Sequence, residues 1–309
     1  MAPGHCNIDT PVPRTSFPIA IEPGYGRLNC GQWNTFRLHC YQSSAWAVSR
    51  RYARKSRGGS GLARRWRPLP WVAVDLPAIR AALCDHDHSK RLQALVALRH
   101  HSTADAEPIL LTALKSDTFI IRSFACMGLG RKRTEAGFHA LLERARQDKD
   151  PNVRAEAASA LSWFGFDRCT SLLLQLFSQD DHWLVRHSIL AALSECGDPD
   201  VQLQVVRQGL AGNDDTVRCC ALELLGVLVG SPLEKEAETL LLAASHNDNP
   251  WIRRTAARTI GNFPGETARQ RCLELRQDPD YRIVAASMES SLKLESGPEP
   301  DGAVDQGKG

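Results

Sequence analysis

The sequence predicts an all-α protein, a right-handed α-α superhelix of about seven helix pairs. Three observations carry this. Arginines recur at a near-constant period: Arg91, Arg122, Arg154, Arg186, Arg218, Arg253 and Arg282 lie 31, 32, 32, 32, 35 and 29 residues apart. Each sits in the same local frame. Ile121, Val153, Val185, Val217 and Ile252 precede five of them, Lys90 and Tyr281 precede the outermost two, and a small or branched apolar residue follows three positions on. Composition agrees, because 43% hydrophobic but only 6% aromatic residues suits helices packed through alanine and leucine. A period of this length denotes a repeat array, since one helix pair cannot bury its apolar face alone.

The clearest unit is Asp150-Pro-Asn-Val-Arg154-Ala-Glu-Ala157-Ala-Ser-Ala160-Leu161. Asp150 suits an N-cap and Pro151 a first-turn position. Val153, Ala157, Ala160, Leu161 and Phe164 recur at helical spacing and define one apolar face. The same alternation places helix pairs at 77–84 with 88–100, 104–115 with 118–130, 135–147 with 151–164 and 168–178 with 182–195. It continues at 199–211 with 214–229, 233–245 with 249–261 and 265–276 with 279–294. Gly165, Gly197-Asp198-Pro199, Gly230-Ser231-Pro232 and Phe263-Pro264-Gly265 punctuate the pairs.

The organisation is therefore a solenoid over 76–294 between two segments of other character. Residues 1–70 carry eleven Lys/Arg against two acids, a net +9, whereas residues 71–309 carry 27 against 33, a net −6. Five early prolines and the run Arg50-Arg51-Tyr52-Ala53-Arg54-Lys55 break any periodicity, so a disordered basic leader is expected. Three readings of it stand: a transit peptide, a nucleic-acid-binding tail, or a start assigned too early, with translation beginning near Val72 or Val74. The last is preferred. No apolar stretch follows Arg50-Arg51, which excludes a twin-arginine export signal. Residues 295–309, rich in Gly, Pro and acids, are expected to be a disordered tail.

Ten scattered cysteines without a C-x-x-C pair read as reduced thiols of a cytoplasmic protein. No apolar run reaches the length of a membrane span. The mildly acidic body argues against nucleic acid as the partner.

The repeated frame resembles HEAT repeats, in the short form D-x-x-x-V-R-x-x-A-x-x-A-L. Asp150-Pro-Asn-Val-Arg154 and Asp214-Asp-Thr-Val-Arg218 match it most fully. The resemblance covers about 85–290. It implies that the arginines form a structural ladder with acids of neighbouring units. The acids four or five residues before each arginine are the expected partners: Asp87, Asp117, Asp150, Asp181, Asp214, Asp248 and Asp278.

No nucleophile elbow, phosphate loop or dinucleotide fingerprint is present, and no catalytic residue is assigned. Cys84-Asp85-His86-Asp87-His88 and His100-His101 hold candidate metal ligands. They lie at opposite ends of one helix, roughly 18 Å apart, so no metal site is assigned. Helical-repeat iron hydroxylases of the deoxyhypusine type carry His-Glu pairs, which this chain lacks. The outward positions of each second helix, expected to line a concave surface, give the candidate binding residues. They are Arg99, His100, Arg131, Trp163, His187, Glu223, Arg254 and Arg258.

Ser123-Phe-Ala-Cys-Met-Gly-Leu-Gly130-Arg131 and His182-Trp-Leu-Val-Arg186-His-Ser-Ile-Leu-Ala-Ala-Leu193 are similar to the bilin lyase and phycobilisome-degradation proteins of cyanobacteria. That resemblance implies binding of a phycobiliprotein subunit, its linear tetrapyrrole, or both, in chromophore attachment, chromophore removal or phycobilisome turnover. A tetrapyrrole would be a ligand, and no cofactor is required. Two alternatives stand beside it: a protein-only adaptor, and a HEAT-like DNA glycosylase, which the acidic body disfavours.

Overall fold

The computed structural model describes residues 75–296. The expected basic leader lies wholly outside these residues, as does the expected tail apart from its first two residues. Among the described residues there are fourteen α-helices and no strand. They are α1 Leu76–Leu83, α2 His88–Ala97, α3 Thr103–Ala113, α4 Phe119–Lys132, α5 Glu135–Gln147, α6 Pro151–Ser162 and α7 Phe166–Gln179. There follow α8 Trp183–Leu193, α9 Pro199–Ala211, α10 Asp215–Leu225, α11 Glu234–Ala244, α12 Pro250–Ile260, α13 Glu266–Leu275 and α14 Tyr281–Ser296. Short 3-10 turns extend α2 over Leu98–His100 and α10 over Gly226–Leu228. The seven expected pairs are all present.

Helix boundaries follow the punctuation read from sequence. The side chains of Asp87, Asp150, Asp214 and Asn249 accept a backbone N–H in the first turn of α2, α6, α10 and α12, satisfying donors that have no intrahelical partner. Gly165, Gly197 and Gly230 follow second helices with φ of 100°, 70° and 79°. In this left-handed region a Cβ is penalised, so the chain turns there at no steric cost.

The chain divides into two compact units between Ala191 and Ala192. Within the first, α4 packs on α2 and α6 packs on α4, while α1, α3 and α5 pack against their own second helices. Within the second, α10, α12 and α14 stack in the same way, with α9, α11 and α13 as their first helices. The stacking faces are small-residue faces. A Cβ on Gly130 would lie 2.8 Å from the Ala160 Cβ, and one on Gly261 would lie 2.6 Å from the Ser290 Cβ. Glycine at these positions lets neighbouring second helices approach closely. The low aromatic content follows from that geometry: Ala125, Ala157, Ala221 and Ala256 are fully buried between helices.

Six of the seven cysteines among the described residues are free. Cys84 is disulfide-bonded, which corrects the expectation of reduced thiols at that position. No helix is long and apolar enough to cross a membrane among the described residues.

Candidate functional site

The arginine ladder is the first feature to place, because it decides which cations belong to the fold. Arg122 Nε and Nη2 each donate to an Asp148 carboxylate oxygen at 2.8 Å, and Nη1 donates to the carbonyls of Ser116 and Asp117. Arg154 grips Asp180 through Nε at 2.6 Å and donates to the Asp148 carbonyl. Arg253 grips Asp278 through Nε at 2.8 Å and donates to the Asn247 and Asp248 carbonyls. One planar guanidinium thus ties the loop of its own repeat to the loop of the next, which an ammonium could not do.

These partners correct the sequence expectation. The ladder acid is not the N-cap but the residue two positions before it. Asp148, Asp180 and Asp278 fill that position, and each also accepts the backbone N–H two residues on. Asp87, Asp150 and Asp214 are N-caps, and Asp278 alone of the assigned ladder acids was placed correctly. A cap needs an oxygen above the first turn, whereas the ladder needs one facing the preceding repeat, and a single carboxylate cannot serve both.

Arg282 is also out of register. In each earlier second helix the ladder arginine's own N–H bonds the carbonyl of the N-cap residue, as Arg253 does with Asn249 and Arg154 with Asp150. In α14 the residue that bonds the Asp280 carbonyl is Val284. Arg282 instead folds onto the Asp280 side chain, with Nη2 to Oδ2 at 2.6 Å. Its hydrogen bonds hold that carboxyl at about 2, well below the usual range. The short 29-residue spacing before Arg282 was the signal.

Where the acid is missing, the arginine is left incomplete. Ser116 and Asn247 stand at the acid position that follows Arg91 and Arg218, and the Nε of both arginines is buried without a hydrogen-bond partner. The corresponding position after Arg186 is Gly212. Arg186 Nε donates to the Asp180 carbonyl at 2.7 Å instead. An open hollow of about 750 Å³ lies along Asp148, Arg154, Asp180 and His182, and three of these, Asp148, Arg154 and Asp180, are engaged in the ladder.

The candidate binding residues divide between the units. In the first, His100 and Arg131 are exposed, Arg99 and Trp163 are half-buried, and His187 is buried at 8% exposure. The expected outward placement of His187 is therefore corrected: α8 turns it inward. The Arg131 guanidinium lies 5.7 Å from the centre of the Trp163 ring. That ring lies so close above Gly130 that a Cβ there would come within 2.9 Å of it, so Trp163 covers a helix joint as well as presenting an edge outward. Arg99 Nε donates to His100 Nε2 at 2.7 Å.

In the second unit Glu223 and Arg254 are half-buried and Arg258 is exposed. Trp251 is 36% exposed, with Arg254 5.9 Å and Arg282 4.9 Å from its ring centre. This cluster of one aromatic and two cations was signalled by the three-residue spacing of Trp251 and Arg254, which places both on one helix face. Arg258, one turn further, extends that face.

Burial raises the pKa of Cys126, Cys169, Cys196 and Cys272, so the thiolate needed for nucleophilic chemistry is disfavoured. No group of three or more potential metal ligands is clustered among the described residues.

The profile of HEAT repeats matches residues 108–194, 138–226 and 203–293, together more than half of the chain. No curated protein matches it. Among solved structures, the YibA protein of Escherichia coli aligns at 15% identity over 70% of this chain and 92% of its own, with a TM-score of 0.48. The complex of CpcE and CpcF of phycocyanin lyase from Nostoc sp. PCC7120 aligns at 19% identity over 76% and 100%, with a TM-score of 0.42. Human deoxyhypusine hydroxylase in complex with glycerol aligns at 18% identity over 72% and 96%, with a TM-score of 0.34. Likenesses of this size carry no inference about activity.

Proposed function

The chain belongs to the HEAT-repeat family, and from that premise we propose that it is a binding scaffold that holds a protein partner on the outward side of its second helices. The observation that carries this reading is the Trp251–Arg254 pair with Arg258 beside it. The ladder consumes Arg253, one residue away, in Asp278 and two carbonyls. Arg254 and Arg258 are used by no such bond, and a partly exposed tryptophan flanked by arginines is the composition of an interaction anchor.

The finer reading is that the partner is a phycobiliprotein subunit, engaged with its bilin. Arg131 above Trp163 in one unit and Arg254 beside Trp251 in the other each offer a cation next to an aromatic wall. A flat tetrapyrrole bearing propionates requires that combination. Titration of the protein with free bilin, followed by absorbance, and with a bilin-bearing subunit, followed by co-elution, separates the two readings. A spectral shift with bilin supports the finer one. Co-elution with the subunit but no response to free bilin leaves a protein-only scaffold. Neither response rejects the phycobiliprotein reading.

A further inference from the structure

The last second helix, α14, presents an apolar stripe to solvent. Tyr281, Met288 and Leu292 are 80%, 50% and 66% exposed, and Ala285 between them is exposed as well. The spacing of 4, 3 and 4 residues puts all four on one face.

Comparison with inner helices shows what this face is. Counted from the N-cap, the eighth residue is Cys126, Ala158, Leu222 or Ala257 in α4, α6, α10 and α12, and all are at most 1% exposed. Met288 occupies that position in α14. The twelfth is Gly130, Gly226 or Gly261 in α4, α10 and α12, where a Cβ would meet side-chain atoms of the following second helix within 3 Å. Leu292 occupies it in α14, and Val284 replaces the ladder arginine. So α14 lacks both the arginine and the glycine found at these positions in α4, α10 and α12. A capping repeat ordinarily carries a polar outer face; that of α14, the last helix among the described residues, is apolar.

We propose that a second copy of this chain covers the stripe, with α14 packed antiparallel on α14. The 4-3-4 spacing is that of the apolar seam of a two-helix coiled coil. Antiparallel pairing about a two-fold axis sets Ala285 against Met288 of the second copy and Tyr281 against Leu292 of the second copy, small against large in the centre. The flanking charges then match. Arg282 falls on the same side as Glu289 of the second copy, about two residues or 3 Å along the axis, and symmetry makes the pair twice. Parallel pairing would place Arg282 and Glu289 on opposite sides of the seam and lose this pair. One helix pair falls below the roughly 1,200 Å² of stable complexes, so the dimer is weak, with a dissociation constant in the micromolar range.

The test is sedimentation velocity of the full chain from about 1 to about 200 μM, concentrations that bracket micromolar affinity. The wild type should move from monomer to dimer and no further. Met288→Glu, at a position already exposed to solvent, should keep the helical circular dichroism and weaken the dimer at least tenfold. Arg282→Glu should weaken it too, and Arg282→Glu/Glu289→Arg should restore it, because the exchange re-forms both pairs. A wild type that stays monomeric, a Met288→Glu variant that dimerises as before, a species that grows beyond two copies, or a double reversal that stays monomeric would each overturn the proposal.

Discussion

Arg122 and Asp148, 26 residues apart, form a bidentate ion pair in which both side chains are at most 5% exposed. Loop backbone engages the pair further, through the Ser116 and Asp117 carbonyls and the Asp150 N–H. Removal of Arg122 leaves the buried Asp148 carboxylate with only that N–H and the Arg144 guanidinium 3.6 Å away. Arg122→Ala is expected to lower stability by about 3–5 kcal/mol. Arg154 and Asp180 are 19% and 12% exposed, so water screens what is left behind. Arg154→Ala should cost about 1–3 kcal/mol, and Arg154→Lys should recover only part of that. Urea midpoints measure both, and an Arg122→Ala loss smaller than that of Arg154→Ala would contradict this ranking.

The incomplete joint offers the reverse experiment. Asn247 accepts the Asn249 N–H as Asp148 accepts the Asp150 N–H, but it gives Arg218 no carboxylate, and Arg218 Nε is orphaned. Asn247→Asp should keep the turn and complete the ladder, raising stability by about 1.5–3 kcal/mol, the net contribution of a charge-assisted hydrogen bond. An unchanged or lower urea midpoint would show that Arg218 does not reach that position.

The ladder also sets the response to acid. Burial pushes the Asp148 carboxyl up, but the hydrogen bonds from Arg122 and the Asp150 N–H outweigh it, and the pKa is lowered. The hydrogen bond from Arg253 lowers that of Asp278 against a smaller opposing effect of burial. A folded-state pKa below the unfolded value, about 3.9 for Asp, contributes stability that is complete above that value. It is lost as pH falls through the lower folded pKa. Stability should therefore hold from neutral pH to about pH 5 and fall below about pH 4. Asp148→Asn should be less stable at pH 7 and lose less on acidification. An equal acid slope in both proteins would remove Asp148 from the account.

The repeat, the helix pairs and most caps were legible because each is local: a period, a spacing, a residue type before a first turn. The ladder acids were not, because the N-cap aspartates Asp150 and Asp214 occupy a regular position and mask the acid two residues earlier. That acid is absent at Ser116, Gly212 and Asn247, so Asp148 and Asp180 show no unbroken period. Arg282 matched the period by residue type but not by hydrogen-bond register. Among the candidate binding residues, Arg131 and Arg258 are exposed and Arg254 half-buried. His187 is buried, because a position outward in one repeat is buried in another: Arg254 is half-buried where Ala155 is 1% and His187 8% exposed.

The face carrying Trp251, Arg254 and Arg258 is proposed to bind a partner through side chains the ladder does not use. Arg254→Ala/Arg258→Ala tests it in one comparison, by titrating wild type and variant with a bilin-bearing phycobiliprotein subunit. The variant should keep the wild-type circular dichroism and a melting temperature close to it, because neither arginine joins two repeats. Its affinity should fall at least tenfold, since each charged contact contributes about 1.5–3 kcal/mol. Unchanged affinity, from a wild type that does bind, would contradict the assignment of this face.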